Sequence, residues 1–262
     1  MRAKMMIAMT ALLLGACAHS PVMPTAAERQ ALAPTGKVRL GFLANNAVHA
    51  TKDPVSGELK GPAIDFGKEL ARRLGVPFQA VEYRTVAEMV QSVPKNEWDV
   101  ISIGINPERL KTMDFSAPYS QIEIGYLVGQ RSPITTFSEV DKPGVSIAVL
   151  EKGDSDVLLT NALKHATLVR TQAIGDSVEM VKSGSVDAMS ALKTFLIPAS
   201  ERVPGSRILE GRLTVQEIAI GVPKGREVSA RYVRQFVDEL KAEGFIKHSI
   251  DRAAVRGLMA AP

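Results

Sequence analysis

Between Trp98 and Tyr119 a short apolar strand, Val100 to Ile105, runs directly into a proline-led turn, and that junction narrows the choice of architecture. Pro107 fits the first position of a helical turn, where its missing N–H costs no hydrogen bond. Arg109 then falls just past a strand end. Open α/β sheets bind ligands at that place, and arginine's planar fork of donors suits a carboxylate. The stretch therefore predicts an anion-holding site on an α/β sheet.

The flanking sequence supplies the rest of such a sheet. Val38 to Leu43 alternates like a strand, and Asp53 to Gly57 carries turn residues. Phe66, Leu70 and Leu74 recur at helical spacing opposite Lys68, Arg72 and Arg73, with Gly75 as a left-handed stop. Phe78 to Val81 starts another strand, and Thr85 with Glu88 forms a capping-box pair ahead of Met89, Val90 and Val93. After Tyr119, Ile124 to Val128 reads as a strand and Gln130 to Pro133 as a crossover. A second series follows: strand Ser146 to Leu150, helix Asp154 to Leu163, strand Thr167 to Arg170, a helix capped by Asp176 and Glu179, and strand Val186 to Met189. Phe195 to Ala199 suits a short helix and Ser206 to Leu209 a strand. Val215 to Val222 is long enough to run back between two lobes, and Tyr232, Val233, Phe236, Val237 and Leu240 mark a helical tail ending near Gly244.

The first residues belong to a different class. Arg2 and Lys4 precede an apolar run from Met5 to Leu14, then small residues and Cys17, which is the anatomy of a secretion signal. Cys17 is the only cysteine, so an intrachain disulfide is excluded, as is a catalytic or metal-binding cysteine in a mature fold. The basic pI near 9.2 does not indicate nucleic acid. With Arg2 and Lys4 removed, 30 basic residues face 28 acidic ones, and the basic residues are scattered rather than gathered into a stripe with stacking aromatics. His49, His165 and His248 lack metal-ligand spacing, and no Ser/His/Asp arrangement or phosphate-cradling glycine motif stands out. No metal, cofactor or catalytic residue is expected.

Leu14-Gly15-Ala16-Cys17 resembles the lipobox of bacterial lipoproteins, cleaved before Cys17 and acylated on its sulfur. From about residue 36 to 250 the chain resembles the periplasmic solute-binding proteins, family 3, that carry polar amino acids to ABC importers. The match is carried by Asn106-Pro107-Glu108-Arg109 followed by Asp114-Phe115-Ser116-Ala117-Pro118-Tyr119. Weaker signals are Gly61-Pro62-Ala63-Ile64-Asp65-Phe66 and Asp187-Ala188. The resemblance implies a two-lobed, type II α/β clamshell with two crossing strands as hinge. Its expected division is a signal peptide over 1–17, a flexible tether over 18–35, one lobe from 36–128 and 219–262, and a second lobe over 129–218. It also implies a monomer, lipid-anchored at Cys17 on the periplasmic side, that passes a small carboxylate-bearing solute to an ABC permease after hinge closure.

By the same resemblance Arg109 grips the carboxylate while Ser102 and backbone near Gly104 add hydrogen bonds. The chain also departs from the pattern. The acid that pairs with an α-ammonium falls on Ala191 or Leu192, no ring-stacking aromatic lies in the loop after Phe42, and the usual Gly-Thr-Thr turn reads Lys152-Gly153-Asp154-Ser155. A buried ammonium needs an acid, so Asp154 or Glu123 is the expected substitute. Each candidate has a structural alternative: capping or an Asp114 pair for Arg109, backbone satisfaction for Ser102 and Asn106, an N-cap for Asp154 and Ser155, and a solvated charge for Glu123. Trp98 reads as core. The same clamshell also resembles secreted cyclohexadienyl dehydratases, for which Glu123 or Asp154 is the proton-transfer candidate, and a ligand-sensing envelope module is a third possibility.

Overall fold

A computed structural model of the chain describes residues 23–43 and 46–262. The expected signal peptide, Cys17 and the first residues of the expected tether lie outside these residues, as do Ala44 and Asn45.

The described chain opens with α1 (Ala26–Leu32) and β1 (Val38–Leu43), followed by the small hairpin β2 (Thr51–Lys52) and β3 (Leu59–Lys60). It continues through α2 (Pro62–Leu74), β4 (Phe78–Tyr83), α3 (Val86–Gln91), β5 (Val100–Gly104), the single turn α4 (Pro107–Leu110), β6 (Met113–Phe115) and β7 (Ser120–Val128). Next come β8 (Ser146–Leu150), α5 (Asp154–Ala162), β9 (Thr167–Thr171), α6 (Ile174–Ser183), β10 (Ala188–Leu192), α7 (Lys193–Arg202) and β11 (Arg207–Ile208). The chain closes with β12 (Thr214–Pro223), α8 (Glu227–Ala242), α9 (Phe245–Ala253) and β13 (Leu258–Ala260).

One sheet threads the molecule in the order β4-β1-β5-β12-β7-β10-β8-β9. Its ends are parallel, β1 with β4 and β5 on one side and β8 with β9 and β10 on the other. Its middle is antiparallel. β12 pairs with β5 over Ile218 to Gly221 and with β7 over Thr214 to Ile218, and β7 passes from β12 to β10 at Ile124. Two strands thus cross between two α/β units, the architecture of a two-lobed, type II periplasmic binding protein clamshell.

Each unit has its own core. In the first, α2 buries Ile64, Phe66, Leu70 and Leu74 against β1, with Val233, Phe236, Val237 and Leu240 of α8 in the same cluster. Burying a side chain the size of Phe66 contributes about 1.5–3 kcal/mol over leaving it exposed. Pro62 begins α2 and Gly75, in the left-handed region, ends it. On the other sheet face Met89, Trp98, Ile101, Ile103 and Met113 pack together, and Trp98 Nε1 donates to Ser92 Oγ at 2.7 Å. The second unit packs Leu127, Met189 and Leu196 on one face and Tyr126, Ile147 and Leu159 on the other.

The stretch expected to be flexible tether over 18–35 is corrected in its later part. Thr25 and Glu28 form a capping box at the start of α1, Leu32 is fully buried in the first core, and Ser229 Oγ of α8 donates to the Ala31 carbonyl at 3.2 Å. Burial of Leu32 holds this segment as part of the folded body.

Candidate functional site

At the end of β5 the backbone is turned by Asn106, whose Oδ1 accepts the Arg109 N–H at 2.9 Å, with Pro107 as the first helical residue. That single turn sends the Arg109 side chain back over the strand end, where Nη1 donates to the Gly104 carbonyl at 2.8 Å. Arg109 is only 3% exposed. Gly104 is required by the crowding: a Cβ there would lie 2.7 Å from Gln216 Nε2 and 3.0 Å from Arg109 Nη1. Gln216 cannot yield easily, because its Nε2 donates to the carbonyls of Ile105 at 2.8 Å and Glu217 at 2.9 Å.

The opposite wall is the turn between β8 and α5. Lys152 adopts φ 57, a left-handed conformation unusual for a side-chain-bearing residue. It is held there by donation of its N–H to Asp156 Oδ2 at 2.8 Å, while Arg170 Nε donates to Asp156 Oδ1 at 2.9 Å. The turn presents Asp154 and Ser155 as the first residues of α5. Arg109 Nη1 donates to Asp154 Oδ1 at 2.6 Å, and Nη2 reaches the Lys152 carbonyl at 3.4 Å. Arg109 Nε is buried and has no partner among the described residues.

These residues border a cavity of about 60 Å³ between the two walls, space for a few water molecules. Leu43, Val86, Met89 and Ile103 line it from one side and Leu150, Ile174, Ala191, Leu192 and Phe195 from the other, joined by Asn46, His49, Ser155 and Ser190. Asp154 is its one acidic lining residue among those described. A neighbouring recess of about 190 Å³ shares Leu43, Val86, Leu150 and Ile174 and adds Arg84, Glu151 and Gln172.

Behind the cavity runs a buried polar chain. Ser102 Oγ lies 2.8 Å from His49 Nδ1 and 2.7 Å from Tyr119 Oη. His49 is anchored by its main chain as well, since its N–H donates to the Asn46 carbonyl and its carbonyl accepts from Ala63 at the start of α2. Gly61 permits that seat: it adopts φ 137, and a Cβ would fall 2.8 Å from the His49 carbonyl oxygen. Burial, and secondarily the charge of Arg109, push the His49 pKa down to about 4, so the ring is neutral at pH 7. Burial also raises the Tyr119 phenol well above its ordinary range.

The sequence-derived candidates separate into three groups. Gly104, Arg109, Asp154 and Ser155 line the cavity. Asn106 and Ser102 stand behind it, Asn106 as the N-cap of α4 and Ser102 joining His49 to Tyr119, so the Ser102 hydroxyl is occupied away from the cavity wall. Glu123 is elsewhere. Its carboxylate takes Lys193 Nζ at 2.5 Å and Arg212 Nη1 at 2.8 Å, and both cations lower its pKa. That corrects the cleft-facing position expected for it, because two cations from distant segments draw it outward. Ala191 and Leu192 line the cavity as apolar residues. Sequence reasoning missed His49, Phe195 and the aliphatic residues of both walls, which carry no local signal distinguishing them from core. Among the described residues no cluster of three or more His, Cys, Asp or Glu could hold a metal.

The profile of the bacterial extracellular solute-binding proteins, family 3, matches residues 39–253. The chain is similar to the ABC transporter glutamine-binding protein GlnH of Bacillus subtilis (strain 168), at 23% identity over 215 residues that cover 79% of this chain and 77% of that protein. Its fold is similar to the solute receptors for L-cysteine of Neisseria gonorrhoeae, with 21% identity, a TM-score of 0.76, and 89% of this chain and 99% of that one covered. It is likewise similar to the ancestral amino acid-binding protein AncCDT-1, a precursor of cyclohexadienyl dehydratase, with 23% identity, a TM-score of 0.73, and 86% and 97% covered.

Proposed function

The chain belongs to the bacterial extracellular solute-binding proteins, family 3, and from that premise we propose that it is the receptor of an ABC importer, capturing a small carboxylate-bearing, amino-acid-like solute by hinge closure. The observation that carries this reading is Arg109, a buried guanidinium at a strand end between the lobes, already bonded to one carboxylate and with its Nε–H unpartnered. A buried donor left unmade costs about 1–3 kcal/mol, so an acceptor arriving beside it is favoured. The solute's carboxylate is that acceptor. Gly104 and Ser155 border it, Asn106 fixes the angle of Arg109, and the aliphatic walls enclose the remainder of the solute.

The reading as a receptor rather than a dehydratase is supported by the binding proteins it resembles; of the two proton-transfer candidates, Glu123 is held by Lys193 and Arg212, while Asp154 lines the cavity with its carboxylate on Arg109. The signal over 1–17 and acylation of Cys17 would tether the folded body to the membrane on the periplasmic side, and no helix of the described residues is long and apolar enough to cross it. The lobes divide at the crossing strands, near residues 128 and 219. The protein then meets its permease as a monomer.

Isothermal titration against a panel of amino acids and a panel of organic acids tests this reading. At least one carboxylate-bearing compound titrates on it with single-site stoichiometry. Flat traces across both panels overturn it.

A further inference from the structure

We infer that Asp154 is a built-in competitor for the solute: its carboxylate occupies Arg109 across the cleft and latches the lobes together, so that solute binds in exchange for it. The inference rests on the reading of Arg109 as the carboxylate clamp. It concerns what the opposite lobe does to that clamp.

The contact joins the two lobes directly, Arg109 from the turn after β5 and Asp154 from the start of α5, at 2.6 Å with side chains 3% and 13% exposed. Asp154 is the acidic residue of the cavity wall, and its Oδ1 stands on the donor that also serves the Gly104 carbonyl. With the pair made, the space beside it is about 60 Å³ and the recess that shares its Leu43, Val86, Leu150 and Ile174 walls about 190 Å³, below the roughly 300–1,000 Å³ of a small-molecule site. A solute must therefore part the walls that the pair draws together.

Both partners are held ready for this contact. A Cβ on Gly104 would lie 3.0 Å from Asp154 Oδ1 as well as 3.0 Å from Arg109 Nη1, so the glycine admits both groups. The left-handed Lys152, pinned through Asp156, turns its own carbonyl towards Arg109 Nη2 beside the carboxylate. The pair leaves Arg109 Nε–H unbonded and Nη2 with only a long contact, so the guanidinium is incompletely satisfied by its own chain. A solute carboxylate on the free Nε–H and Nη2 sets a second anion beside Asp154 on a single guanidinium, and one positive charge facing two buried negative ones favours exchange over sharing. The helix position gives Asp154 a simpler role, stabilising the α5 N-terminus, and that role predicts no effect on Arg109.

A receptor whose binding-competent form is only a fraction of the population has its apparent affinity reduced by that fraction. Asp154→Asn and Asp154→Ala are therefore expected to bind the titrating carboxylate about tenfold more tightly than the parent chain. Asp154→Glu, which keeps a competing carboxylate, stays near it. In small-angle scattering without added solute, both neutral variants are expected to show a larger radius of gyration than the parent chain. Weaker binding by the neutral variants overturns the inference, because Asp154 then contacts solute, and so does unchanged affinity with unchanged scattering. The scattering comparison needs no solute: if neither panel binds any of the proteins, the receptor reading fails, while the latch stands on an expansion or falls on its absence.

Discussion

On the first lobe's side of the cleft, polar side chains are locked to one another: Asn106 caps the turn, Arg109 grips the Gly104 carbonyl, and His49, Ser102 and Tyr119 form a buried chain behind them. On the second lobe's side the wall is a strained turn carrying Asp154 and Ser155, with Ala191, Leu192 and Phe195 around it. The contrast separates two tasks. On the proposed reading the first wall is a preorganised clamp for one charged group, with Arg109 and its cap in the segment that follows the family pattern. On the same reading the second wall sets what else is accepted, and there Ala191, Leu192 and the Lys152 to Ser155 turn depart from that pattern, as the loop after Phe42 does on the first side.

Four perturbations grade that contrast. The largest is acidification, which acts on the first wall through His49. Its pKa falls from 6.5 to about 4 on folding, so between those values the unfolded chain binds the proton and the folded chain does not. Stability contributed by the neutral ring is complete above pH 6.5, declines as pH falls, and levels off near pH 4, a loss of order 3 kcal/mol. Denaturant titrations of the parent chain and of His49→Asn should differ by that slope, and parallel profiles would show that the ring does not contribute it.

Gly104→Ala comes next. The added Cβ meets Gln216 Nε2 and Arg109 Nη1, and the overpacking is expected to cost about 1–3 kcal/mol in stability together with a loss of solute affinity, because Arg109 must shift. A melting curve and a titration read the two effects together. Asn106→Ala removes the cap of α4 and should cost about 1 kcal/mol by chemical denaturation. The smallest effect belongs to Glu123→Gln, outside both walls. Partly solvated ion pairs of this kind contribute about 0–1 kcal/mol, and its solute affinity should equal the parent's. A marked affinity loss there would place Glu123 in the site after all.

The strand read over Val100 to Ile105 and found over Val100 to Gly104, Pro107 at the start of the turn and the place of Arg109 past the strand end were legible because each signal is local, a few residues long and set by backbone geometry. The Asn106 cap is the backbone-satisfying alternative to the ligand contact expected of it. The capping box at Thr25 and Glu28 was equally local, and it went unread because its short helix lacks an apolar repeat and depends on Leu32 finding the first core. The remaining features are long-range. Glu123 meets Lys193 and Arg212 from 70 and 89 residues away, His49 reaches Ser102 across 53, and Arg109 reaches Asp154 across 45. No periodicity encodes such pairings, and only the fold brings them together.

The central claim is that Arg109 holds the solute's carboxylate. Isothermal titration of the parent chain and of Arg109→Ala with the same amino acid and organic acid panels tests it, with circular dichroism confirming that the variant is folded. Removing one partner of a buried charged contact costs about 2–5 kcal/mol, so the variant should bind the titrating carboxylate at least about 30-fold more weakly. Equal affinity in a folded Arg109→Ala protein would contradict the claim.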